Sequence, residues 1–285
     1  APAAWRARGM RAVLGFNLVR LAAAGGRRGL PGLNADTPLA GGIHLPDDGV
    51  GNCRQFAQLL RQQAQRDGVQ WLFGHEVRRI DPGAPVQLTL RRGAGEQTLR
   101  FDAVVVCAAL GAVPLLARLG TRHGYSITAP LRRDDGRGEF APRSALMDER
   151  YKVAISRLGQ RIRVAGSAEL GGDLERHHPR AIATLHQVLR DWFPGAAHLA
   201  AVQPWKGARP MLPEGAPVIG ASGRDGVWLN LGHGSSGWAL ACGSARVLAD
   251  LVARRDGAID VAGYGADRYA PAGQRPPRPV PGAAT

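Results

Sequence analysis

Between Asn52 and Gly68 the chain places Phe56, Leu59, Leu60 and Ala64 at helical intervals, with arginines and glutamines between them. That is the period of an amphipathic helix. Asn52 is a good N-cap and Gly68 a good stop, so a helix is predicted over 52–67. The period then changes. Val69–Phe73, Glu76–Ile80, Val86–Arg92 and Thr98–Cys107 read as extended, the middle two alternating apolar and polar residues as half-exposed strands do. Ala103-Val104-Val105-Val106-Cys107 is apolar throughout, which predicts a strand covered on both faces in a parallel sheet. Cys107 is thereby expected in the core.

A second region begins near Tyr125. Tyr125–Thr128, Ala145–Asp148, Lys152–Arg157 and Arg161–Ala165 are short β candidates separated by turn-rich segments, the pattern of an antiparallel sheet. A helix from Pro179 to Trp192 carries Ile182, Leu185, Val188 and Leu189 on one face. It is followed by an extended segment from Trp205 to Pro210, a short strand at Pro217–Gly220 and a buried strand at Val227–Leu231. A long helix over Trp238–Arg254 follows, with Cys242 on its inner face. Residues 1–40, rich in Ala, Gly and Arg, hold a short helix or strand at Ala12–Ala24 and are otherwise unassigned. The last fifteen residues, Pro271 to Thr285, contain five prolines and read as an extended or disordered tail.

Composition narrows the class. A chain of 285 residues with 45% hydrophobic content can fill a core, which excludes a disordered polymer or a disulfide-stapled miniature. The formal charge of +14 suggests nucleic acid until its distribution is read. Lysine occurs only at 152 and 206; the other 35 basic residues are scattered arginines. Acidic neighbours are common among them, as in Arg132-Arg133-Asp134-Asp135 and Arg254-Arg255-Asp256. This is a diffuse background rather than a phosphate-binding stripe, and no nucleic-acid partner is expected. Cys53, Cys107 and Cys242 have no short spacing, so neither a metal site nor a disulfide framework is signalled, and a cytoplasmic setting fits. The longest apolar run, Ala103–Ala117, is interrupted by Gly111 and Pro114 and is too short to span a membrane. Arg20 breaks the apolar stretch near the N-terminus, so no signal peptide is expected.

Two segments carry chemistry. Gly232-His233-Gly234-Ser235-Ser236-Gly237 follows a strand and opens a helix. It matches G-x-G-x-x-G, but no further strand with an acidic residue follows, as a dinucleotide fingerprint requires. A glycine-rich turn there lets a ligand approach backbone N–H groups at the positive end of a helix dipole; a tight structural turn explains the same residues. His233 between two glycines can also cap the turn through its ring. The second segment is Gly207-Ala208-Arg209-Pro210-Met211-Leu212-Pro213-Glu214-Gly215, where one guanidinium sits among prolines and glycines. A rigid arginine fork suits bidentate carboxylate binding, although a lone arginine is commonly a solvated charge.

Taken in order, Trp205-Lys206-Gly207-Ala208-Arg209-Pro210-Met211-Leu212-Pro213-Glu214-Gly215, Pro217-Val218-Ile219-Gly220, Trp228-Leu229-Asn230-Leu231-Gly232-His233-Gly234, Gly237-Trp238 and Ala241-Cys242-Gly243-Ser244 resemble the C-terminal half of the FAD-dependent D-amino acid dehydrogenases. These are of the small-subunit type, within the D-amino-acid oxidase (DAO) superfamily. Upstream, Pro46-Asp47-Asp48, Gly51-Asn52-Cys53, Gly124-Tyr125-Ser126-Ile127-Thr128 and Asp148-Glu149-Arg150-Tyr151-Lys152-Val153-Ala154-Ile155-Ser156-Arg157 fit the same order. The resemblance runs from about Gly41 to Tyr269.

The resemblance implies an α/β fold. An incomplete Rossmann-like FAD-binding domain with a parallel sheet (41–120 and 215–270) would accompany an α+β substrate-binding domain with an antiparallel sheet (121–214). It also implies that Gly232, His233, Gly234, Ser235 and Gly237 approach the pyrimidine end of FAD, where negative charge appears on reduction. Arg209 would bind the substrate carboxylate, and Tyr151 would line the amino-acid pocket unless it is simply a packed strand tyrosine. The implied reaction is oxidation of a D-amino acid by hydride transfer to FAD, giving a 2-oxo acid and ammonia. Electrons would pass to a quinone-type acceptor, with peripheral association at the inner face of the cell membrane. A glycine- or sarcosine-oxidase-like activity and a truncated, non-catalytic remnant are the alternatives. The departures are specific. The family's opening strand, G-x-G-x-x-G turn and acidic strand end for the ADP half of FAD are not found in residues 1–40, where Val13-Leu14-Gly15-Phe16-Asn17 is the nearest candidate, so the chain is expected to be short by a βαβ unit. Ala109 stands where the family has a glycine, His123 where it has a lysine, and Glu214 where it has an aspartate.

Overall fold

The computed structural model describes residues 30, 32–112, 120–132, 140–257 and 259–269, with the backbone alone at 19–22 and 120–122. The candidate turn at Val13–Asn17 and the proline-rich tail at 271–285 lie outside the described residues. In chain order the elements are β1 (Val19–Ala22), β2 (Gly41–His44), α1 (Cys53–Arg66), β3 (Glu76–Asp81), β4 (Val86–Arg92), β5 (Gly95–Phe101), β6 (Val104–Val106) and β7 (Gly120–Pro130). There follow β8 (Leu146–Asp148), β9 (Val153–Leu158), β10 (Arg161–Leu170), α2 (Pro179–Trp192), β11 (Gln203–Met211), β12 (Val218–Ala221), β13 (Val227–Leu231) and α3 (Gly237–Val252). The chain divides into two compact units: residues 1–58 with 123–208, and 59–122 with 209–285.

The first unit is built on a five-stranded sheet of order β11-β7-β10-β9-β8. β10 and β8 both run antiparallel to β9. Alternate residues of three strands, Tyr125, Ile127 and Ala129, Val153 and Ile155, and Ile162 and Val164, face one buried cluster. α2 covers that face with Leu185, Val188, Leu189 and the following Phe193. Each fully buried aliphatic side chain contributes about 1.5–3 kcal/mol. Pro179 starts α2 because its fixed φ suits the first turn and its missing N–H would have no helical partner there. A separate two-stranded antiparallel pair, β1 with β2, completes the described strands of this unit.

The second unit has two three-stranded sheets, β3-β4-β5 and β12-β13-β6. The first is an antiparallel meander. In the second, β13 runs parallel to β6, with Val227 opposite Val104 and Leu229 opposite Val106, while β12 runs antiparallel to β13. The parallel pairing expected of the Rossmann-like part is thus present as this pair. Val86, Val106, Leu212, Val218, Val227, Leu229 and Leu231 form its core. α3 packs on β12 and β13, and Val247 and Leu248 meet Ile219. Arg268 ties the C-terminal segment to the start of β12 by donating to the carbonyls of Ala216 (2.6 Å) and Pro217 (2.9 Å).

Several expectations are corrected. α1 occupies the predicted span, and Asn52 Oδ1 accepts the Gln55 N–H at 3.2 Å as a cap should, yet its apolar stripe of Phe56, Leu59 and Leu60 is exposed. Val69–Phe73 forms no strand, because a strand needs a ladder partner and none of the described residues supplies one. Instead Trp71 stacks on Phe73 at 5.8 Å, with the Arg61 guanidinium 5.7 Å from the Phe73 ring. Thr98–Cys107 is two strands, since β5 pairs with β4 while β6 leaves to pair with β13. β6 is an edge strand with Val105 exposed, so Cys107 lies beyond the strand and is exposed, as are Cys53 and Cys242. Apolar character in a sequence marks what can be buried; the neighbour that buries it has to be present.

Candidate functional site

β11 carries the arginine singled out from the sequence. Pro204 and Pro210 are tolerated on it because it is an edge strand, where a missing N–H breaks no ladder on the open side. Side chains alternate along it. Lys206 turns inward and is buried, whereas Trp205 is exposed and Arg209 half-buried. A Cβ placed on Gly207 would lie 1.9 Å from Cη2 of Trp205, so the indole lies against the strand over Gly207. No hydrogen bond or ion pair links Arg209 to another described residue. Burial pulls the guanidinium below the usual arginine range. A partly desolvated cation without a counter-charge is a site that favours an anion.

The end of β11 meets the glycine-rich turn. Met211 and His233 form an antiparallel bridge, and Leu212 is buried beneath the turn. Gly232 and Gly234 have φ of +79° and +58°, conformations that side chains with a Cβ resist. The space is also taken: a Cβ on Gly232 would be 2.3 Å from Leu212 Cδ1, and one on Gly234 would be 2.8 Å from Met211 Sδ. Both glycines therefore have a packing reason, the structural reading left open by the sequence. The same strand joins the two predicted segments, since Arg209 stands two residues, about 7 Å, before the bridge.

The turn has properties that packing leaves unexplained. α3 begins at Gly237 with Ser236 as its N-cap, and the Ser236 side chain makes no capping bond. The ring of His233 does not cap the turn either, and its Nε2 is buried without a partner. Asn230 Oδ1, on β13 just before the turn, is likewise buried and unpartnered. Ser235 is exposed and Gly237 half-buried at the helix start. An uncapped helix N-terminus beside an unmatched ring nitrogen is a donor array awaiting an electron-rich group. The polar edge of a planar ring would match such donors. At the neighbouring end of β6, Ala109 holds φ +47°, so the backbone keeps a glycine-like conformation although the residue is alanine.

Burial lowers the His233 pKa, and His186 shifts the same way, through burial first and then the Arg190 charge. A histidine kept neutral in the fold but free to take a proton when unfolded costs stability as pH falls below the ordinary histidine value of 6.5. Stability is therefore fully present above that value and declines below it until the folded pKa is passed. Thermal melts between pH 8 and 5 should show a shallower acid slope in His233→Gln than in the wild type. Identical slopes would mean that His233 titrates as an exposed histidine.

Tyr151 belongs to the first unit, in the turn between β8 and β9. Its hydroxyl accepts a hydrogen bond from Gln187 of α2 at 3.3 Å, and Arg150 lies over its ring at 5.1 Å. It borders a cleft of about 460 Å³ with Asp36, Thr37, Arg190 and Trp192. The adjacent Asp148 is fully engaged, accepting from Trp192 Nε1 (2.6 Å) and from the Arg150 and Tyr151 N–H groups (2.8 and 3.0 Å).

The sequence reading passed over a buried polar cluster in the same unit. Lys206 Nζ pairs with Glu169 at 3.0 Å and donates to the carbonyls of Asp173 (2.7 Å) and Arg176 (2.9 Å). It also sits 5.2 Å from the centre of the Tyr125 ring, and Tyr125 donates its hydroxyl proton to Glu169. Burial alone would lower the lysine pKa, but its bonds to Glu169 and Tyr125 outweigh that and hold it above the ordinary value. The Tyr125 and Lys206 hydrogen bonds hold Glu169 below its own. His123, the departure from the family lysine, is buried with Nδ1 2.7 Å from the Gly171 carbonyl.

The DAO family, described as FAD dependent oxidoreductase, matches residues 3–251. A D-amino acid dehydrogenase of Chromohalobacter salexigens is 44% identical over 238 residues, covering 81% of this chain and 55% of the relative. One of Rhizorhabdus wittichii is 40% identical over 256 residues, covering 87% and 60%. The chain thus spans 55–60% of the length of these curated relatives. Among solved structures, glycine oxidase from Geobacillus kaustophilus superposes with a TM-score of 0.77 at 22% identity, covering 92% of this chain and 70% of that one. Iminodiacetate oxidase from Chelativorans sp. gives 0.72 at 18% identity, covering 91% and 70%. At such identities the likeness is one of fold. With the family match running through β11, the glycine turn and nearly all of α3, the chain belongs to the FAD dependent oxidoreductase (DAO) family.

Proposed function

We propose that this chain carries the substrate anchor and the flavin-facing turn of an FAD-dependent D-amino acid dehydrogenase. The observation that carries the reading is Arg209, a half-buried guanidinium with no anionic partner among the described residues, on the strand that bridges to His233. The fold alone does not select the substrate: structures with TM-scores of 0.77 and 0.71 include a glycine oxidase and an L-proline dehydrogenase. Support for D-amino acids comes from relatives at 40–44% identity that bear that name.

Arg209 would hold the carboxylate by paired N–H donors and so fix the direction of the Cα–H bond. The N–H groups at the start of α3, with Gly232, His233, Gly234, Ser235 and Gly237, would hold the flavin end that gains charge. When bound, FAD supplies the two-electron acceptor for the hydride leaving Cα. The amine becomes an imine, and water then releases ammonia and the 2-oxo acid. Tyr151 stays a candidate pocket residue on family grounds, its Gln187 and core contacts being those of a packing residue. The electrons would pass to a quinone-type acceptor. No helix among the described residues is long and apolar enough to cross a membrane; peripheral contact with a membrane quinone is what the family resemblance implies.

The test is spectroscopic. Protein saturated with FAD and mixed anaerobically with a D-amino acid should lose its flavin absorbance, which a soluble quinone analogue then restores. Bleaching by glycine or sarcosine but not by D-amino acids would select the oxidase-like alternative. Failure to retain FAD would identify a non-catalytic chain.

A further inference from the structure

Tyr151 borders a cleft whose lining residues all belong to the first compact unit. Its volume is about 460 Å³, within the usual range for a small-molecule site. Both walls are fixed. On one side the segment ahead of β2 is tied to the end of α2: the Asn34 N–H donates to the Trp192 carbonyl at 2.8 Å, and Asn34 Nδ2 (3.0 Å) and the Thr37 hydroxyl donate to the Asp191 carbonyl. On the other side the turn between β8 and β9 is held by its N–H bonds to Asp148. The α2 carbonyls at the cleft are thereby satisfied, but the charged side chains are not. Arg150 rests over the Tyr151 ring, and Arg190 stands in the last turn of α2. Neither guanidinium pairs with a described residue, nor do the carboxylates of Asp36 and Asp191, although all four line the same cleft. Charges of both signs thus share a walled space without neutralising one another.

We propose that this cleft is a second binding site, one that takes a free α-amino acid as its zwitterion. It shares no residue with the Arg209 segment or the glycine turn, and it stands whether or not Arg209 is the substrate anchor. A ligand with a single charge matches half of the lining and is opposed by the other half. A zwitterion turns its carboxylate toward Arg150 and Arg190 and its ammonium toward Asp36 and Asp191, so every charge meets its opposite. Because the walls are already held by hydrogen bonds, little ordering opposes binding. The cleft also separates an amino acid from the corresponding 2-oxo acid, which keeps the carboxylate but has a carbonyl in place of the ammonium. Its occupancy therefore reports amino-acid supply rather than accumulated oxidised product.

Calorimetric titration of the full chain carrying Arg209→Leu tests this, since that change removes binding at the proposed anchor. L-alanine or D-alanine should still bind at one site, and pyruvate and ethylamine, with one charge each, should bind at least about tenfold more weakly. Arg190→Gln and Asp191→Asn should each weaken alanine by about tenfold or more, whereas Arg190→Lys should keep most of the affinity. Both side chains are unpaired in the free protein, so thermal melts of these variants should match the parent. Unchanged affinity in both charge variants would overturn the proposal, as would pyruvate and ethylamine binding as well as alanine. Alanine binding that is present in the wild type and absent from Arg209→Leu would uphold the anchor and overturn the cleft.

Discussion

Replacing Arg209 with leucine should lower kcat/KM for D-amino acids by about 30- to 4,000-fold in FAD-loaded protein, with little loss of thermal stability. Truncating one member of a desolvated, hydrogen-bonded charge pair costs about 2–5 kcal/mol, and each 1.4 kcal/mol is tenfold. The side chain has no described partner to orphan when it is removed, and leucine relieves the burial of a charge. Arg209→Lys keeps the charge but loses the planar fork, so it should recover only part of the activity and should raise KM. Substrate amines without a carboxylate should be poor in the wild type and unaffected by the change. Unaltered kinetics for carboxylate substrates in Arg209→Leu would end the assignment of the anchor.

A second large effect is expected at Gly232. Alanine there meets two separate penalties: a φ of +79°, costing about 1–2 kcal/mol, and overlap with Leu212 Cδ1 at 2.3 Å, costing about 1–3 kcal/mol. A fall in Tm of about 5–15 °C follows for a domain of this size, together with loss of retained FAD, because the turn displaced is the one proposed to face the flavin. Pairing it with Leu212→Ala separates the two. Leu212 is buried, so its own truncation costs about 2–5 kcal/mol. The double variant should nevertheless lose less than the two single losses combined, by about the size of the removed overlap. Strict additivity would show that Leu212 is not what the turn rests on.

Much of the first unit was legible in the sequence because its elements are covered by one another. Pro179 at the start of α2 and the spacing of Leu185, Val188 and Leu189 give the helix, its start and its buried face together. The elements misread elsewhere share one cause. Phe56, Leu59 and Leu60, the segment Val69–Phe73, and Cys107 and Cys242 all have the composition of buried structure, yet their described surroundings leave them exposed. Periodicity reports a side chain's preference, and burial is a property of pairs.

The site was legible in part for similar reasons. Arg209 stood out because prolines and glycines flank it, and the glycine turn because it joins a strand to a helix. The Lys206 cluster did leave a trace. In a chain with 35 arginines and two lysines, a buried lysine marks a place where a compact ammonium fits three oxygens and a planar guanidinium does not.

The two prolines of β11 also bear on the margin of the sheet. A sheet ending in a regular strand offers every second N–H and C=O to any passing chain, and copies of one protein can zip together along such a margin. Pro204 and Pro210 lack an N–H, so β11 cannot offer an unbroken ladder to an incoming strand. A margin interrupted at two positions in this way is a poor template for edge-to-edge pairing.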